Sequence, residues 1–318
     1  MSNINLITTC TNGKNSDGKA ILSLAQYTSG QTPSNVLVNS WCNALNESLK
    51  TSATVCAVDL YKGGHWATAK EILKSYHIDL WVVSAGLGLL HYTDQVVPYK
   101  ATFAIGYDES IPLYSREYVG KSFHRTWWKE LTERSPFISE HPSSIKNLMK
   151  KNKDHYYIIC GSPDYINAIE LDIINGLEYL VDSKKQLLII TSKVINDRLM
   201  SYLFKTNHDM AQWLKCNMLM LNVSMAKHII REFTERGLDN LSDFSQRLST
   251  ELNELPAREV KKGIRRSSEE VELYILKILQ HQPSISATQA LREFRDSGNS
   301  FEEKRFRVIF KGLTGSKA

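Results

Sequence analysis

Short apolar runs alternate with amphipathic stretches over the first 250 or so residues of the chain. Each run is rich in β-branched or apolar residues, whereas the stretches between them repeat their apolar positions every three to four residues, as helices do. The predicted strands are Ile4–Thr9, Ala53–Val58, Leu80–Ser84, Tyr156–Cys160, Gln186–Thr191 and Met218–Asn222. Strands separated by helices predict βαβ units, and therefore an α/β fold with a doubly wound, mostly parallel sheet.

The alternation stops near residue 255, where the chain becomes polar and basic. Residues 256–266 are predicted to be a linker, because they combine Pro, Gly and cationic residues with few apolar positions. Three short amphipathic patterns follow. Each is preceded by a hydroxyl residue with Glu or Gln three positions later, the pattern of a helix capping box: Ser267, Ser286 and Ser300. The chain is therefore predicted to contain an α/β domain over residues 1–255 and a tri-helical module over residues 267–318.

The predicted module has a small apolar core and a cationic last helix, which is typical of helix-turn-helix or winged-helix DNA-binding domains. The acids Glu302 and Glu303 reduce its positive field, so phosphate contact is expected rather than base readout. A protein-docking module with a solvated charged face is the alternative. The predicted nucleic-acid contacts are Lys14, Arg292, Arg295, Lys304, Arg305 and Arg307.

Composition narrows the class of protein only slightly. The chain has 318 residues, 42% hydrophobic and 23% charged, with a formal net charge of +5, which permits a polyanionic partner without requiring one. The first residues lack the basic and apolar regions of a signal peptide, and no apolar run approaches the ~20 residues of a membrane span. We therefore expect a cytoplasmic protein without a membrane partner.

The cysteines are odd in number and scattered, without paired metal-binding spacing: Cys10, Cys42, Cys56, Cys160 and Cys216. Reduced thiols are the expected state in the cytosol. The sequence accordingly predicts no metal site and no cofactor.

The residues after each predicted strand are the candidate site, because parallel sheets bind ligands beyond the carboxyl ends of their strands. The first predicted strand is followed by Cys10, Asn12 and Lys14, which together with backbone N–H groups can hold an anionic group. A plain polar loop is the alternative. Neither a Walker spacing nor a dinucleotide-binding spacing is present.

The second predicted strand is followed by a carboxylate, a glycine pair and aromatic side chains. Asp59 is a candidate general base or stabiliser of a cationic intermediate. Tyr61, His65 and Trp66 are expected to form the rim of the same pocket. The alternative for Asp59 is a cap on the following helix.

The third predicted strand leads into the most distinctive segment of the chain. Its glycines allow a tight turn and a close backbone approach to a ligand. Asp94 and Tyr99 are expected to return polar groups to the same place. The residues expected to line the pocket here are Ser84, Ala85, Gly86 and Gly88.

These segments resemble the signature of the peroxide-stress DNA-binding protein family and of related small domains. That signature has a Cys near the end of strand one, Leu-Tyr-x-Gly after strand two, and Ser-Ala-x-x-Gly-Leu with a later Pro-Tyr. The matching positions are Cys10, Leu60-Tyr61-Lys62-Gly63, Ser84-Ala85, Gly88-Leu89 and Pro98-Tyr99, within residues 4–105. The segment after the first strand has fewer basic residues than the family pattern.

Relatives of this group act in DNA repair, in tRNA base exchange and in phage defence, where one is a DNA glycosylase that excises glucosylated hydroxymethylcytosine. With the C-terminal module, the resemblance implies excision of a modified base from double-stranded phage DNA, leaving abasic sites. Asp59 or Asp94 would stabilise the cationic sugar, assisted by Tyr99, and the pocket residues would hold the flipped base. A non-catalytic DNA-binding regulator and a tRNA base-exchange enzyme are the alternatives.

Overall fold

The computed structural model describes residues 4–15, 21–26, 32–104, 107–114, 120–137, 140–254 and 263–315. The chain forms two compact units, Met1–Leu255 and Pro256–Ala318. Each unit has its own cluster of buried apolar side chains. None of the described helices is long and apolar enough to cross a membrane.

The described residues form the following strands and helices. In chain order the strands are β1 (Ile4–Thr9), β2 (Leu22–Ser23), β3 (Val55–Cys56), β4 (Ile78–Ser84), β5 (Gly88–His91), β6 (Gln95–Val96), β7 (Tyr99–Lys100), β8 (Tyr156–Cys160), β9 (Leu187–Thr191), β10 (Leu203–Lys205), β11 (Ile264–Arg265) and β12 (Asn299–Ser300). The α-helices are α1 (Ser34–Thr51), α2 (Ala57–Leu60), α3 (Gly64–Ser75), α4 (Gly120–Arg134), α5 (Ile145–Lys151), α6 (Pro163–Gly176), α7 (Ser183–Gln186), α8 (His208–Trp213), α9 (Leu221–Glu235), α10 (Leu241–Asn253), α11 (Ser268–His281), α12 (Ala287–Asp296) and α13 (Glu303–Thr314). Short 3-10 helices cover Leu24–Gln26, Ile111–Tyr114, Leu177–Tyr179 and Asp197–Tyr202.

The first unit is built on a six-stranded sheet with the order β10-β9-β8-β1-β4-β5. All neighbours in it are parallel except β5, which runs antiparallel to β4 at one edge. Every residue of β1 is buried, as expected of a central strand that is covered on both faces. The predicted α/β class with a mostly parallel sheet is confirmed.

Two predicted strands are wrong. Ala53–Val58 yields only β3, which pairs with β6 outside the central sheet, and the chain then enters α2. Met218–Asn222 is a turn that leads into α9, and Leu219 there is 86% exposed. Both predictions relied on a short apolar run. Such a run also occurs at the start of a helix, so its composition alone does not identify a strand.

The second unit combines three helices with one short parallel ladder between β11 and β12. Its core is formed mainly by aliphatic and aromatic side chains from α11, α12 and α13: Val271, Ile275, Ala290, Leu291, Phe294, Phe306 and Phe310. Residues 263–266, which the sequence assigns to the linker, belong to this unit through β11. Residues 256–262 of the predicted linker lie outside the described residues.

Two of the three predicted capping boxes are confirmed, at Ser267 with Glu270 and at Ser286 with Gln289. The third is wrong. Ser300 is held in β12, where its carbonyl accepts from the Arg266 N–H, and α13 is capped instead by the Glu302 carboxylate, which accepts from two backbone N–H groups.

A carboxylate ties three helices of the first unit together. Asp172 on α6 accepts hydrogen bonds from the backbone N–H of Ile145 (2.8 Å) and of Lys146 (3.0 Å), and from the indole of Trp128 on α4 (3.1 Å). Burial raises the pKa of Asp172, whereas these donors act in the opposite direction. The carboxylate satisfies N–H groups at the start of α5 that have no partner within the helix.

Replacing this carboxylate tests its structural role. Asp172→Ala leaves two backbone donors and one indole donor without their acceptor, so we expect the free energy of unfolding to fall by about 3 kcal/mol. Chemical denaturation measures the change. The matched control is Asp59→Ala, which removes an exposed ion pair with Lys70 and is expected to cost less than about 1 kcal/mol. Equal losses in the two variants would contradict the assignment.

Candidate functional site

The strand order reverses at β1, and this reversal positions the candidate site. The chain passes from β1 to β4 on one side, whereas β8 lies on the other side of β1. Ligands bind beyond the carboxyl ends of the strands at such a switch point. Cys10 follows β1, Ser84 ends β4 and Cys160 ends β8, so these three residues mark the crevice.

A group of hydroxyl and thiol side chains meets at this point. Tyr99 Oη lies 2.6 Å from Ser84 Oγ and 3.2 Å from Tyr61 Oη. Cys10 Sγ lies 3.2 Å from the hydroxyl of Tyr165 on the first turn of α6, so this contact joins β1 to the element after β8. We call these residues, together with Lys14, the tyrosine cluster.

The tyrosines of this cluster are neutral hydrogen-bonding groups. Burial raises the pKa of Tyr61, Tyr99 and Tyr165 well above the ordinary value, because the phenolate would lose its hydration. Each hydroxyl therefore keeps its proton at neutral pH and is able to donate it in a hydrogen bond.

Lys14 is the cationic member of the cluster. Its Nζ lies 4.5 Å from the ring centroid of Tyr99 and 5.9 Å from that of Tyr61, and it donates a hydrogen bond of 3.1 Å to the carbonyl of Thr11. Burial lowers the pKa of Lys14, while the Glu109 carboxylate acts in the opposite direction. A lysine with a lowered pKa has a larger fraction of nucleophilic neutral amine.

Backbone pairing between two loops fixes the position of Lys14. An isolated bridge joins Lys14 to Tyr61, and the Lys62 N–H donates to the carbonyl of Gly13 at 2.9 Å. Asn12 and Gly13 are exposed and Lys14 is partly exposed, whereas Tyr61 and Tyr99 are buried. Lys14 is therefore more exposed to solvent than the two tyrosines over whose rings it lies.

The turn after β4 packs against the ring of Tyr99. A Cβ at Gly86 would lie 2.5 Å from two atoms of the Tyr99 ring, so only glycine fits there. The carbonyls of Ala85 and Gly86 accept hydrogen bonds from the indoles of Trp127 (2.8 Å) and Trp41 (2.6 Å). Gly88 has φ +89, which lets the chain turn into β5. The turn thus contacts Tyr99, Trp41 and Trp127, and its role in binding a ligand stays a prediction.

Trp66 does not lie at the rim that the sequence predicts, whereas His65 is partly exposed beside Thr8 of β1. Trp66 is buried and its indole donates to the carbonyl of Val58 at 2.8 Å. His65 Nε2 lies 2.8 Å from Thr8 Oγ1, which also accepts from the Cys160 thiol at 3.3 Å. Burial lowers the pKa of His65 to about 4.

The structure brings neither predicted catalytic aspartate to Tyr99. Asp59 lies on α2 with an exposed carboxylate that pairs with Lys70 at 3.0 Å, because the predicted second strand is not part of the sheet. Asp94 is buried beyond the far end of β5, which runs back along β4 from the Ser84 pair to the Trp81 pair. The Ser84 and Trp81 pairs are three residues apart along β4, which corresponds to roughly 10 Å along a strand.

Sequence reasoning missed Tyr165 and its neighbours. The segment after β8 was interpreted as a helix start, which is correct: Pro163 is the first residue of α6 after Ser162. Phe103 lies between the rings of Tyr165 (5.2 Å) and His124 (4.8 Å). The position of Tyr165 beyond a central strand was the signal that could have identified it.

The second unit carries a groove of about 680 Å³ whose charged lining is mainly arginine. We call Arg265, Arg266, Arg295 and Arg305 the arginine groove. The guanidinium of Arg305 donates to Ser268 Oγ (2.9 Å) in the first turn of α11, so the groove includes a helix N-terminus. Guanidinium groups beside a helix N-terminus favour phosphate binding.

Two of the predicted nucleic-acid contacts, Arg295 and Arg305, lie in this groove. Arg292 and Lys304 are exposed elsewhere on the unit, and Arg307 forms an ion pair with Glu303 at 2.8 Å. The structure adds Arg265 and Arg266, which the sequence placed in the linker.

The chain matches no protein-family model, no curated protein and no solved structure. The family resemblance described above therefore rests on the sequence motifs alone and stays a prediction. Function has to be inferred from the geometry of the two units.

The lowered pKa of His65 predicts a pH dependence of stability. In the unfolded chain the pKa returns to about 6.5, so between pH 6.5 and 4 the unfolded state binds a proton that the folded state does not. The stabilisation is complete above pH 6.5 and declines as the pH falls towards 4. We expect the wild type to lose about 2 kcal/mol more than His65→Gln between pH 7 and pH 5. Urea denaturation at both pH values measures this, and parallel losses would contradict the prediction.

Proposed function

We propose that the protein is a DNA glycosylase whose reaction takes place at the tyrosine cluster and whose arginine groove binds the DNA backbone. The observation that carries the proposal is Lys14, a partly exposed amine of lowered pKa that lies on two tyrosine rings at the switch point of the sheet. An amine in such an environment is suited to nucleophilic catalysis.

The other members of the cluster fit the recognition of a base. A flipped base is bound by aromatic faces and by hydrogen bonds to its polar edge. The rings and neutral hydroxyls of Tyr61 and Tyr99 are groups of this kind. Both residues are buried, so a base has to displace Lys14 and its loop to reach them. The Tyr99 hydroxyl is able to donate a hydrogen bond to a departing base, which keeps Tyr99 among the proposed catalytic groups, although its raised pKa disfavours full proton transfer.

The reaction proceeds through the amine rather than through an aspartate. The neutral Lys14 amine attacks sugar C1′, the C1′–N bond to the base breaks, and the base leaves with a proton. Opening of the sugar ring then gives an imine between C1′ and Lys14. Water hydrolyses the imine, which returns the amine and leaves an abasic site.

The proposed substrate is a modified base in double-stranded phage DNA. The family resemblance supports glucosylated hydroxymethylcytosine and a role in antiviral defence. The five cysteines are free thiols, in keeping with a reducing cytoplasm. A non-catalytic DNA-binding protein is the second candidate, favoured by the placement of the arginine groove in a unit separate from the tyrosine cluster.

Loss of the Lys14 amine tests the enzymatic proposal. The purified chain is incubated with DNA that contains cytosine, hydroxymethylcytosine or glucosylated hydroxymethylcytosine. Alkali-dependent strand breaks report abasic sites, and borohydride traps the imine as a covalent protein–DNA adduct. Lys14→Met and Lys14→Arg are both expected to lower the rate of base release by at least about 100-fold and to abolish the adduct, since Arg keeps the charge but forms no imine.

The matched control is Lys62→Met, which removes an exposed ammonium from the neighbouring loop and is expected to leave both readouts unchanged. Asp59→Asn is expected to remain active as well. An active Lys14→Arg variant would exclude the amine as the nucleophile, and an inactive Asp59→Asn variant would assign the reaction to a carboxylate. DNA binding without release of any of the three bases would favour the non-catalytic candidate.

The arginine groove is tested separately, by the salt dependence of DNA binding. Arg295→Ala with Arg305→Ala is expected to weaken binding by about tenfold or more and to reduce the slope of log K against log salt by about 2, because two phosphate contacts are lost. Arg292→Ala with Lys304→Ala removes the same charge outside the groove. Equal weakening by both double variants would show that net charge, rather than the groove, binds DNA.

A further inference from the structure

A second cluster of polar side chains lies away from the tyrosine cluster. His91 ends β5, Asp94 lies in the turn that follows, and His141 comes from the segment before α5. Each offers one ligand atom, and the three atoms lie within 4.8 Å of one another. Residues 47 positions apart in sequence are thus brought together beside the edge strand of the sheet.

The carboxylate of this cluster has a fixed orientation. Asp94 Oδ2 accepts from the backbone N–H of His91 at 2.7 Å, while Oδ1 lies 2.8 Å from His141 Nδ1. One oxygen is therefore used by the backbone, and the other faces an imidazole. Such an arrangement presents a single carboxylate oxygen together with ring nitrogens.

One ring nitrogen of the first histidine has the outer partner that metal ligands usually have, since His91 Nε2 lies 3.8 Å from the Asp79 carboxylate. The other, Nδ1, lies 2.6 Å from Thr93 Oγ1, so an ion bound at Nδ1 has to replace this contact. A carboxylate behind an imidazole orients the ring and raises its basicity towards a metal.

The His91–Asp94–His141 cluster is packed against aromatic rings on one side and is open to solvent on another. The rings of His91 and His141 stack with centroids 4.0 Å apart, and the indole of Trp81 contacts both rings, at 4.9 Å and 5.9 Å. An opening of about 420 Å³, lined in part by Thr93, Asp94 and His141, connects the cluster to the surface. Water and a small ion are able to enter there.

We propose that His91, Asp94 and His141 form a binding site for a divalent zinc-type ion, with one coordination position left for water. Two imidazoles and one carboxylate are a ligand set that zinc takes in proteins with an open fourth position. Tetrahedral ligands about 2.0–2.1 Å from zinc lie about 3.3 Å apart, so side-chain rotation has to close separations of up to 4.8 Å by at most about 1.5 Å. The site is independent of the tyrosine cluster.

The untagged full-length chain is treated with a chelator, dialysed and titrated with Co²⁺, followed by competition with Zn²⁺. We expect one visible-absorbing Co²⁺ per chain, displacement by Zn²⁺, and a higher thermal unfolding midpoint with either ion. His141→Ala is expected to weaken binding by at least about 100-fold. Asp94→Asn provides a second variant that preserves side-chain size, and it is expected to behave in the same way.

The matched control is His208→Ala. His208 Nδ1 lies 4.0 Å from the carboxylate of its neighbour Asp209, so it is another histidine beside an aspartate, but an exposed one. We expect this variant to bind Co²⁺ like the wild type. Absence of a bound ion in the wild type, or equal affinity in the wild type, His141→Ala and Asp94→Asn, would overturn the proposal.

Discussion

The central position of β1 between two parallel neighbours is the constraint from which the candidate site follows. Its ladder with β4 and its ladder with β8 are in register over most of their length, so the three strands end at nearly the same level. The chain segments that leave β1 and β8 cannot cross on the same side and must diverge. The crevice between them is filled by side chains from both segments, and the contact between Cys10 and Tyr165 spans it.

The chemistry of the tyrosine cluster depends on a balance between burial and attraction. Desolvation disfavours the ammonium of Lys14, whereas the negative faces of the Tyr61 and Tyr99 rings favour it. Desolvation is the larger influence, and it also holds the phenols in their neutral form. An arginine at the same position would stay charged, so only a lysine there is able to provide a neutral amine.

The sequence predicted the elements whose periodicity is strong and local. The runs at β1, β8 and β9 are buried on both faces and therefore continuously apolar, and the two confirmed capping boxes are set by residues three positions apart. The site was predicted less well, because it depends on strand order. The structure brings Cys10, Tyr61, Ser84 and Tyr99 together, but Asp59 followed a run that is not a strand of the central sheet. Tyr165 became part of the site only once β8 was known to lie beside β1.

The antiparallel strand β5 separates Asp94 from Tyr99, which the sequence had assigned to one pocket. A parallel strand after β4 would have required a crossover, and the residues after it would have returned to the carboxyl edge of the sheet. Instead the tight turn at Gly88 reverses the chain, so Tyr99 and Asp94 lie at different ends of the same sheet. The return of the chain from β6 to β7 then brings Tyr99 back to Ser84, while Asp94 stays beside His91 and His141. Asp94 and Tyr99 are close in sequence but thus belong to chemically distinct groups of side chains, because the chain changes direction between them.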